Sequence, residues 1–253
     1  MNAPEHVPVK DSGNASRDEI LRAAAELFME FGYAATSIDA VAERLGATKG
    51  RIYHHYRSKA DLFFDVQVAA MNRLNEEVEP IARGPGNPAL RLAAMALRHT
   101  RVLLTELPMQ KVAVQGLERH LLGNSPAGKR LRSVIKMRDD YENLFAEVID
   151  EGIREGLFVD LPPKLATKPF FGALNWATVW FSQRRLQTAE AIDDIAHTLA
   201  AYAMRGILSA PRAGPARPAP RGGSSKLAKP HLHEKDPKHE ATRKTALLRD
   251  GLG

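Results

Sequence analysis

Five Lys and Arg side chains and two His side chains lie between Arg44 and Lys59, a stretch that contains no Asp or Glu. The preceding stretch, from Asp18 to Glu43, is mainly acidic. Cations that cluster on one local surface are what binding to the phosphate backbone of nucleic acid requires. The spacing therefore predicts a cationic nucleic-acid-binding segment within residues 44–59.

Short helices must position these cations, because apolar residues recur at three- and four-residue intervals on both sides of Gly46. One helix is predicted over residues 38–45, with Thr36 or Ser37 as its N-cap. The next is predicted to begin at Thr48. Two helices joined by a tight turn form a helix-turn-helix, whose second helix enters the major groove of DNA.

Two further helices are predicted to flank this pair. The first begins after Ser16, an N-cap with Glu19 as its capping-box partner, and ends with a left-handed cap at Gly32. The other follows Ser58, with Asp61 three residues on, and continues to about residue 79. Together they would hold the helix-turn-helix in place.

The predicted DNA contacts lie on the first turns of the recognition helix or at the starts of the flanking helices. They are Thr36, Thr48, Lys49, Gly50, Arg51, Tyr53, His54 and Lys59. Lys49 and Arg51 can reach base edges or phosphates, and Gly50 allows a close backbone approach. The alternative is that each cation is an ordinary solvated charge, and that Tyr53, like Tyr56, packs in the core.

Residues 16–62 resemble the DNA-binding domain of the TetR/AcrR regulators. The matching positions are Leu27, Phe28, Gly32, Tyr33, Thr36, Ile38, Val41, Ala42, Gly46, Lys49, Gly50, Tyr53, His55, Tyr56, Ser58, Lys59 and Leu62. The resemblance implies a homodimeric repressor of palindromic operator DNA. It also implies that ligand binding tilts the fourth helix and changes the spacing of the two recognition helices.

The rest of the chain is predicted to be helical as well, so the fold class is all-α. Helices are expected near residues 88–106, 109–121, 127–155, 163–186 and 189–209, after a Gly- and Pro-rich break at 80–88. The predicted domains are a flexible arm (1–15), a three-helix DNA-binding domain with the helix-turn-helix (16–62), a helical bundle for ligand binding and dimerisation (63–209) and a disordered basic tail (210–253).

A small-molecule effector site is predicted where aromatic and polar residues share helix faces within this bundle. The candidate residues are Met95, His99, Val102, Arg138, Tyr141, Phe145, Phe171, Asn175, Trp176, Val179 and Trp180. A mostly apolar cavity with a few polar groups suits a small ligand. The alternative is that these side chains are ordinary core packing.

The segment from Glu147 to Trp180 resembles the members of the family that answer to acyl-CoA thioesters and control fatty-acid or sterol breakdown. This resemblance implies an acyl-CoA effector. The chain departs from those relatives where Val179 precedes Trp180 and Phe181 follows it, at the place where the resemblance implies a phosphate contact. Two interpretations stay open for Arg184 and Arg185: they substitute for that contact, or they only favour the helix C-terminus.

A dimer is expected because two recognition helices must reach successive major grooves. The resemblance implies that the interface lies on the last two helices. The expected stripe on the final helix comprises Ile192, Ile195, Ala196, Leu199, Ala203, Met204 and Ile207. The alternative is that this helix packs in the core of its own chain.

The sequence contains no group of residues that would support another class of function. The chain has no cysteine, and its longest nearly apolar run, residues 170–181, is too short to span a membrane. The net charge of +6 resides in the tail. Three histidines of the tail, His231, His233 and His239, have no carboxylates around them that would complete a metal site, so no metal and no cofactor is expected.

A cytoplasmic regulator that is not an enzyme is predicted; the alternative is a helical lipid or acyl carrier. Repressor or activator action stays open.

Overall fold

The computed structural model describes residues 12–115, 128–182 and 188–209. Within these ranges the chain forms helices alone, apart from one isolated antiparallel bridge between Phe158 and Leu208. The helices are α1 Ser12–Ala35, α2 Ile38–Arg44, α3 Lys49–His55, α4 Lys59–Ala82, α5 Pro88–Thr105, α6 Leu107–Gln115, α7 Gly128–Arg154, α8 Pro163–Asn175, α9 Ala177–Trp180 and α10 Ala189–Arg205. The predicted all-α class is confirmed. Among these described helices, none is both long enough and apolar enough to cross a membrane.

The N-terminal helices share a core with the first half of α4. The apolar stripe of α1 packs against Val41 of α2, Ile52 of α3 and Phe63 of α4, and the rings of Phe28 and Phe63 meet edge to face at 5.5 Å. Burial of this apolar surface fixes one side of α3 against α1 and α4. The opposite side of α3 is therefore left facing solvent.

Helix α1 differs from its prediction at both ends. It begins at Ser12, so the predicted N-cap Ser16 lies inside the helix and not at its start. Gly32 has φ 80° and ψ 164°, which interrupts the helical path as expected, although this ψ lies outside the left-handed helical region. Residues 1–11 of the predicted arm, and the predicted tail from residue 210, lie outside the described residues.

The body of the protein is a bundle of α4, α5, α7, α8 and α10 around one apolar core. Its fully buried side chains include Leu92, Met95 and Ala96 from α5 and Phe145 and Ile149 from α7. Helix α4 belongs to both cores, because its first half packs in the N-terminal core and its second half in the bundle. It continues through Pro80 to Ala82, and residues 83–86 then lead to Asn87, the N-cap of α5.

The predicted single helix over residues 163–186 is two helices, α8 and α9, so that prediction was wrong. The Thr178 hydroxyl donates to the carbonyl oxygen of Asn175 at 2.9 Å. The Val179 amide bonds instead to Trp176 at 3.0 Å. The i→i−4 bond from Val179 to Asn175 is thus replaced by one i→i−3 turn, which separates α8 from α9 while the backbone of Trp176 stays helical, at φ −58° and ψ −22°.

Candidate DNA-binding surface and effector cleft

The turn between α2 and α3 fixes the angle at which α3 leaves the domain. Gly46 has φ 59°, a left-handed conformation that a side chain would strain. The amide of Ala47 bonds to the carbonyl of Ala42 at 2.9 Å and that of Gly46 to Glu43 at 3.1 Å, which closes α2. The Thr48 hydroxyl then accepts the amide of Arg51 at 3.4 Å and caps α3.

Helix α3 has one buried face and one solvent face. Ile52 is completely buried and the C-capping Tyr56 is 3% exposed, so these two side chains anchor the helix. The solvent face carries most of the predicted DNA contacts, namely Thr48, Lys49, Gly50, Arg51, Tyr53 and His54. Tyr53 is 48% exposed, so the alternative placement of Tyr53 in the core is wrong.

Two predicted DNA contacts, Thr36 and Lys59, hydrogen-bond to the backbone of the protein itself. Thr36 is 3% exposed, and its hydroxyl donates to the carbonyl oxygens of Gly32 at 2.9 Å and Leu27 at 3.2 Å. The ammonium of Lys59 donates to the carbonyl oxygens of Tyr33 and Ala34 at the end of α1. The burial of Thr36 contradicts the predicted contact of its hydroxyl with DNA. Lys59 is partly exposed, and its contact with DNA stays a prediction. The carbonyls of Gly32, Tyr33 and Ala34 lie in the last turn of α1, where the helix itself leaves carbonyls open.

The cations of α3 face carboxylates of neighbouring helices. Lys49 lies 2.5 Å from Asp39 of α2, and Arg51 lies 3.0 Å from Glu19 of α1. The hydrogen bond with Asp39 raises the pKa of Lys49. These pairs are exposed, so they are weak in water and can exchange for phosphate groups.

A cleft of about 180 Å³ opens in the helical bundle between α4, α5, α6, α7 and α8. Its walls are formed by Met71, Leu74, His99, Gln110, Ala113, Val114, Arg138, Tyr141, Glu142, Lys168, Phe171 and Asn175. The structure thus brings together five predicted effector residues: His99, Arg138, Tyr141, Phe171 and Asn175. The remaining wall residues were missed because sequence periodicity does not show which helices meet.

A buried polar chain crosses this cleft. Nε2 of His99 lies 3.0 Å from the amide oxygen of Asn175, and Nδ1 lies 2.9 Å from the hydroxyl of Tyr141. Because an amide oxygen only accepts, Nε2 carries the proton and Nδ1 accepts from Tyr141. Burial lowers the pKa of His99 to about 4, and burial raises the pKa of Tyr141 well above its usual value. The side chains of His99, Tyr141 and Asn175 are therefore all uncharged near pH 7.

Six predicted effector residues lie outside the cleft wall. Met95, Val102 and Phe145 are buried in the bundle core, as the alternative of ordinary packing expected. Trp176, Val179 and Trp180 are 62%, 48% and 49% exposed and do not line the cleft. Their contact with an effector stays a prediction.

Several large apolar side chains are exposed on the last three helices. They are Leu165 on α8, Trp176 at the joint, Val179 and Trp180 on α9, and Tyr202 on α10. The predicted stripe on α10 faces the other way: Ile192, Ala196, Ala203, Met204 and Ile207 are buried, and Ile195 and Leu199 pack partly buried against the cores. Most of that stripe therefore belongs to the core of its own chain, as the alternative expected.

A larger groove, of about 840 Å³, runs between α1, α4 and the α5–α6 junction. Its walls carry Asp18, Glu26, Glu76 and Glu106 against Arg22 and Arg73. A wide, charged surface of this kind does not enclose an apolar ligand. The smaller cleft, with its buried polar chain and apolar walls, better fits a small-molecule site.

Comparison with known proteins assigns both parts of the chain. Residues 20–66 match the model for bacterial regulatory proteins of the tetR family, and residues 85–207 match that for the tetracyclin repressor-like C-terminal domain. A TetR/AcrR transcriptional regulator from Thermobifida fusca is 31% identical, with 76% of this chain and 98% of that chain covered and a TM-score of 0.55.

Two further proteins are similar over most of their length. The HTH-type transcriptional repressor KstR2 of Mycobacterium tuberculosis is 25% identical over 71% of this chain and 88% of its own. AibR, solved in complex with isovaleryl coenzyme A and operator DNA, is 24% identical, with 73% of this chain and 97% of that chain covered and a TM-score of 0.59. The likeness to AibR establishes a common fold.

Proposed function

The chain belongs to the TetR family of bacterial regulatory proteins, and we propose that it is a homodimeric repressor that a small apolar effector releases from a palindromic operator. It is a helix-turn-helix transcriptional regulator, as its relatives are. A cytoplasmic location and the lack of a catalytic role are parts of the same proposal.

The observation that carries this proposal is the solvent face of α3. Lys49, Arg51, Tyr53 and His54 stand together on a helix that Ile52 anchors from behind. The N-terminal end of such a helix enters the major groove, where Arg can read guanine and the other side chains can hold phosphates. Phosphates would replace the carboxylates of α1 and α2 as the partners of the two cations.

Dimerisation would use the exposed apolar side chains of α8, α9 and α10. Trp176, Val179 and Trp180 are large apolar side chains that water would otherwise surround. Their burial against a second copy would remove them from water. It would also hold two α3 helices at the spacing of successive major grooves, roughly 34–36 Å apart. A palindromic operator follows from the two-fold symmetry of such a dimer.

Release would begin in the cleft and pass through α4 and α6. Met71 and Leu74 of α4 line the cleft, and the same helix packs against α3 through its N-terminal half. Gln110 of α6 also lines the cleft, while Val112, two residues on, is buried in the N-terminal core. An effector that shifts either helix would therefore move α3 relative to its symmetry mate.

The effector class that we propose is an acyl-CoA thioester. AibR binds isovaleryl coenzyme A, and KstR2 is described as a ketosteroid transcriptional regulator. In this chain, Met71, Leu74 and Phe171 offer an apolar wall for an acyl group. Lys168 and Arg138 offer positive charge beside that wall for phosphate groups.

Selection from a pool of random duplexes by the purified full chain tests the regulator proposal. We expect the wild-type chain to enrich a palindrome, and we expect the Arg51→Ala variant to enrich the same palindrome less strongly. A pool that stays random with the wild-type chain would overturn the proposal and favour a helical carrier. Addition of short-chain acyl-CoAs to the recovered duplex then tests release, with free coenzyme A as the control.

A further inference from the structure

Gln110 of α6 lines the effector cleft and is completely buried. Its amide nitrogen donates to the carbonyl oxygen of Ala70 on α4 at 3.2 Å. Its amide oxygen, however, meets no hydrogen-bond donor within the described residues. A buried acceptor without a partner costs free energy, so a ligand that supplies a donor gains more here than it would in water.

The other polar atoms deep in the cleft already have partners. Both ring nitrogens of His99 are engaged, one with Tyr141 and one with Asn175. The carboxylate of Glu142 is held by Lys168 and by a threonine of α8. Among the cleft-lining side chains that the structure describes, the oxygen of Gln110 is thus the buried acceptor that a ligand can satisfy.

A second buried glutamine extends this polar region along α4. Gln67 is completely buried, and neither its oxygen nor its nitrogen has a hydrogen-bond partner in the described part of the chain. It lies one helical turn before Met71, on the same face of α4 that supplies Met71 and Leu74 to the cleft. The uncharged amides of Gln67 and Gln110 suit a neutral polar group and oppose a carboxylate, which would meet the oxygen of Gln110 with like charge.

We propose that the cleft selects an effector whose buried part carries a hydrogen-bond donor, a hydroxyl or an amide N–H, on an otherwise apolar frame. The donor pairs with the amide oxygen of Gln110, and the amide nitrogen of the same side chain holds α4 through Ala70. Gln110 is then a specificity-determining residue that links ligand identity to α4. This inference rests on the proposed function as an effector-controlled regulator.

Three ring compounds of nearly equal size test the proposal on the full chain. Cyclohexanol donates and accepts a hydrogen bond, cyclohexanone only accepts, and methylcyclohexane does neither. We expect the wild-type protein to bind cyclohexanol about five- to tenfold more tightly than the other two, as one recovered hydrogen bond implies. Dissociation constants come from ligand-observed NMR titrations.

The Gln110→Met variant keeps the size of the side chain and removes its amide, so we expect it to bind all three compounds equally. Gln110→Asn withdraws the amide by one methylene and should lose the preference as well, which covers the case in which the first variant does not fold. Lys136→Met introduces the same side chain at an exposed position of α7 outside the cleft wall. It is the matched control and should keep the wild-type preference.

Equal affinity of the wild-type protein for the three compounds would overturn the proposal, as would a preference that survives in Gln110→Met. Failure to detect cyclohexanol binding would overturn it too. Operator binding measured on the same samples separates the two ideas. Absent selectivity with intact operator binding refutes the role of Gln110 alone, whereas a wild-type chain that binds no operator refutes the proposed function.

Discussion

The guanidinium of Arg51 on α3 lies 3.0 Å from a carboxylate oxygen of Glu19 on α1. Both side chains are about half exposed, at 43% and 55%. An exposed pair of this kind adds little to folding stability. The pair instead affects DNA binding, because a phosphate or a base must displace Glu19 before Arg51 can contact DNA.

Neutralising Glu19 should therefore strengthen DNA binding. We expect Glu19→Gln to raise affinity for random duplex DNA by about two- to fivefold, the effect of one weak exposed ion pair. Fluorescence anisotropy at fixed salt measures it. Asp140→Asn, which breaks the exposed Lys136–Asp140 pair of α7, is the control and should change nothing. Unchanged or weaker binding by Glu19→Gln would show that Glu19 does not compete with DNA.

Lys49 and Arg51 should differ in how their loss changes operator recognition. Lys49→Ala should weaken binding to operator and random duplex alike, and should reduce the slope of log K against log salt by about one. Arg51→Ala should instead reduce the preference for operator over random duplex, at a cost of about 1–3 kcal/mol if it contacts a base.

Anisotropy titrations at several salt concentrations distinguish these outcomes, with Lys136→Ala in the body as the matched control. An equal loss on both duplexes for Arg51→Ala would assign Arg51 to the phosphate backbone. An unchanged salt slope for Lys49→Ala would remove Lys49 from the interface.

The helix-turn-helix could be predicted from the sequence because its signals are local. Gly46, Thr48 and Ser58 mark helix ends through their own backbone chemistry, and the structure confirms each of these turns and caps. Which side of α3 faces outward followed from the same spacing, since Ile52 alternates with the cations.

The errors in the sequence-based predictions arose where a residue's role depends on a distant neighbour. The stripe on α10 was correctly recognised as apolar, yet periodicity does not reveal whether the same chain or a second copy covers it. Residues 163–186 were predicted as one helix because the single i→i−3 turn at Trp176 has no sequence signature. Gln110 was missed because its unpaired oxygen is a property of the packed bundle alone.

Lys59 separates a structural role from a DNA contact. Its ammonium caps the carbonyls at the end of α1 and lies 4.6 Å from the centre of the Tyr33 ring. We expect Lys59→Met to lower the free energy of unfolding by about 1 kcal/mol, the usual worth of such a cap. Urea denaturation measures the loss. If Lys59→Met is as stable as the wild-type chain but binds operator poorly, Lys59 contacts a phosphate, as the sequence predicts.

The exposed tryptophans should control the oligomeric state. Trp180→Glu places a charge on the apolar surface of α9, and burying that charge against a second copy would be costly. We expect sedimentation equilibrium to show a dimer for the wild-type chain and a monomer for the variant. Operator affinity should fall with it, because the two half-sites are then bound independently.

Leu90→Glu is the matched control for this substitution, since Leu90 is 73% exposed on α5, outside α8 and α9. It should leave the dimer intact. If Leu90→Glu dissociated the dimer and Trp180→Glu did not, the interface would lie on α5 and the assignment of α8 and α9 would be wrong.

His99 should make folding stability depend on pH. Burial lowers its pKa to about 4 in the folded chain, below the ordinary value of 6.5, so the unfolded chain binds a proton more readily. Folding stability is then greatest above pH 6.5 and declines as the pH falls towards 4. At about pH 5, the protonation of His99 in the unfolded chain lowers the free energy of unfolding by roughly 2 kcal/mol.

His99→Gln keeps one donor and one acceptor for Tyr141 and Asn175 but does not titrate. Urea midpoints at neutral pH and at about pH 5 should therefore differ less for His99→Gln than for the wild-type chain. Equal differences would show that His99 is not held neutral in the folded cleft.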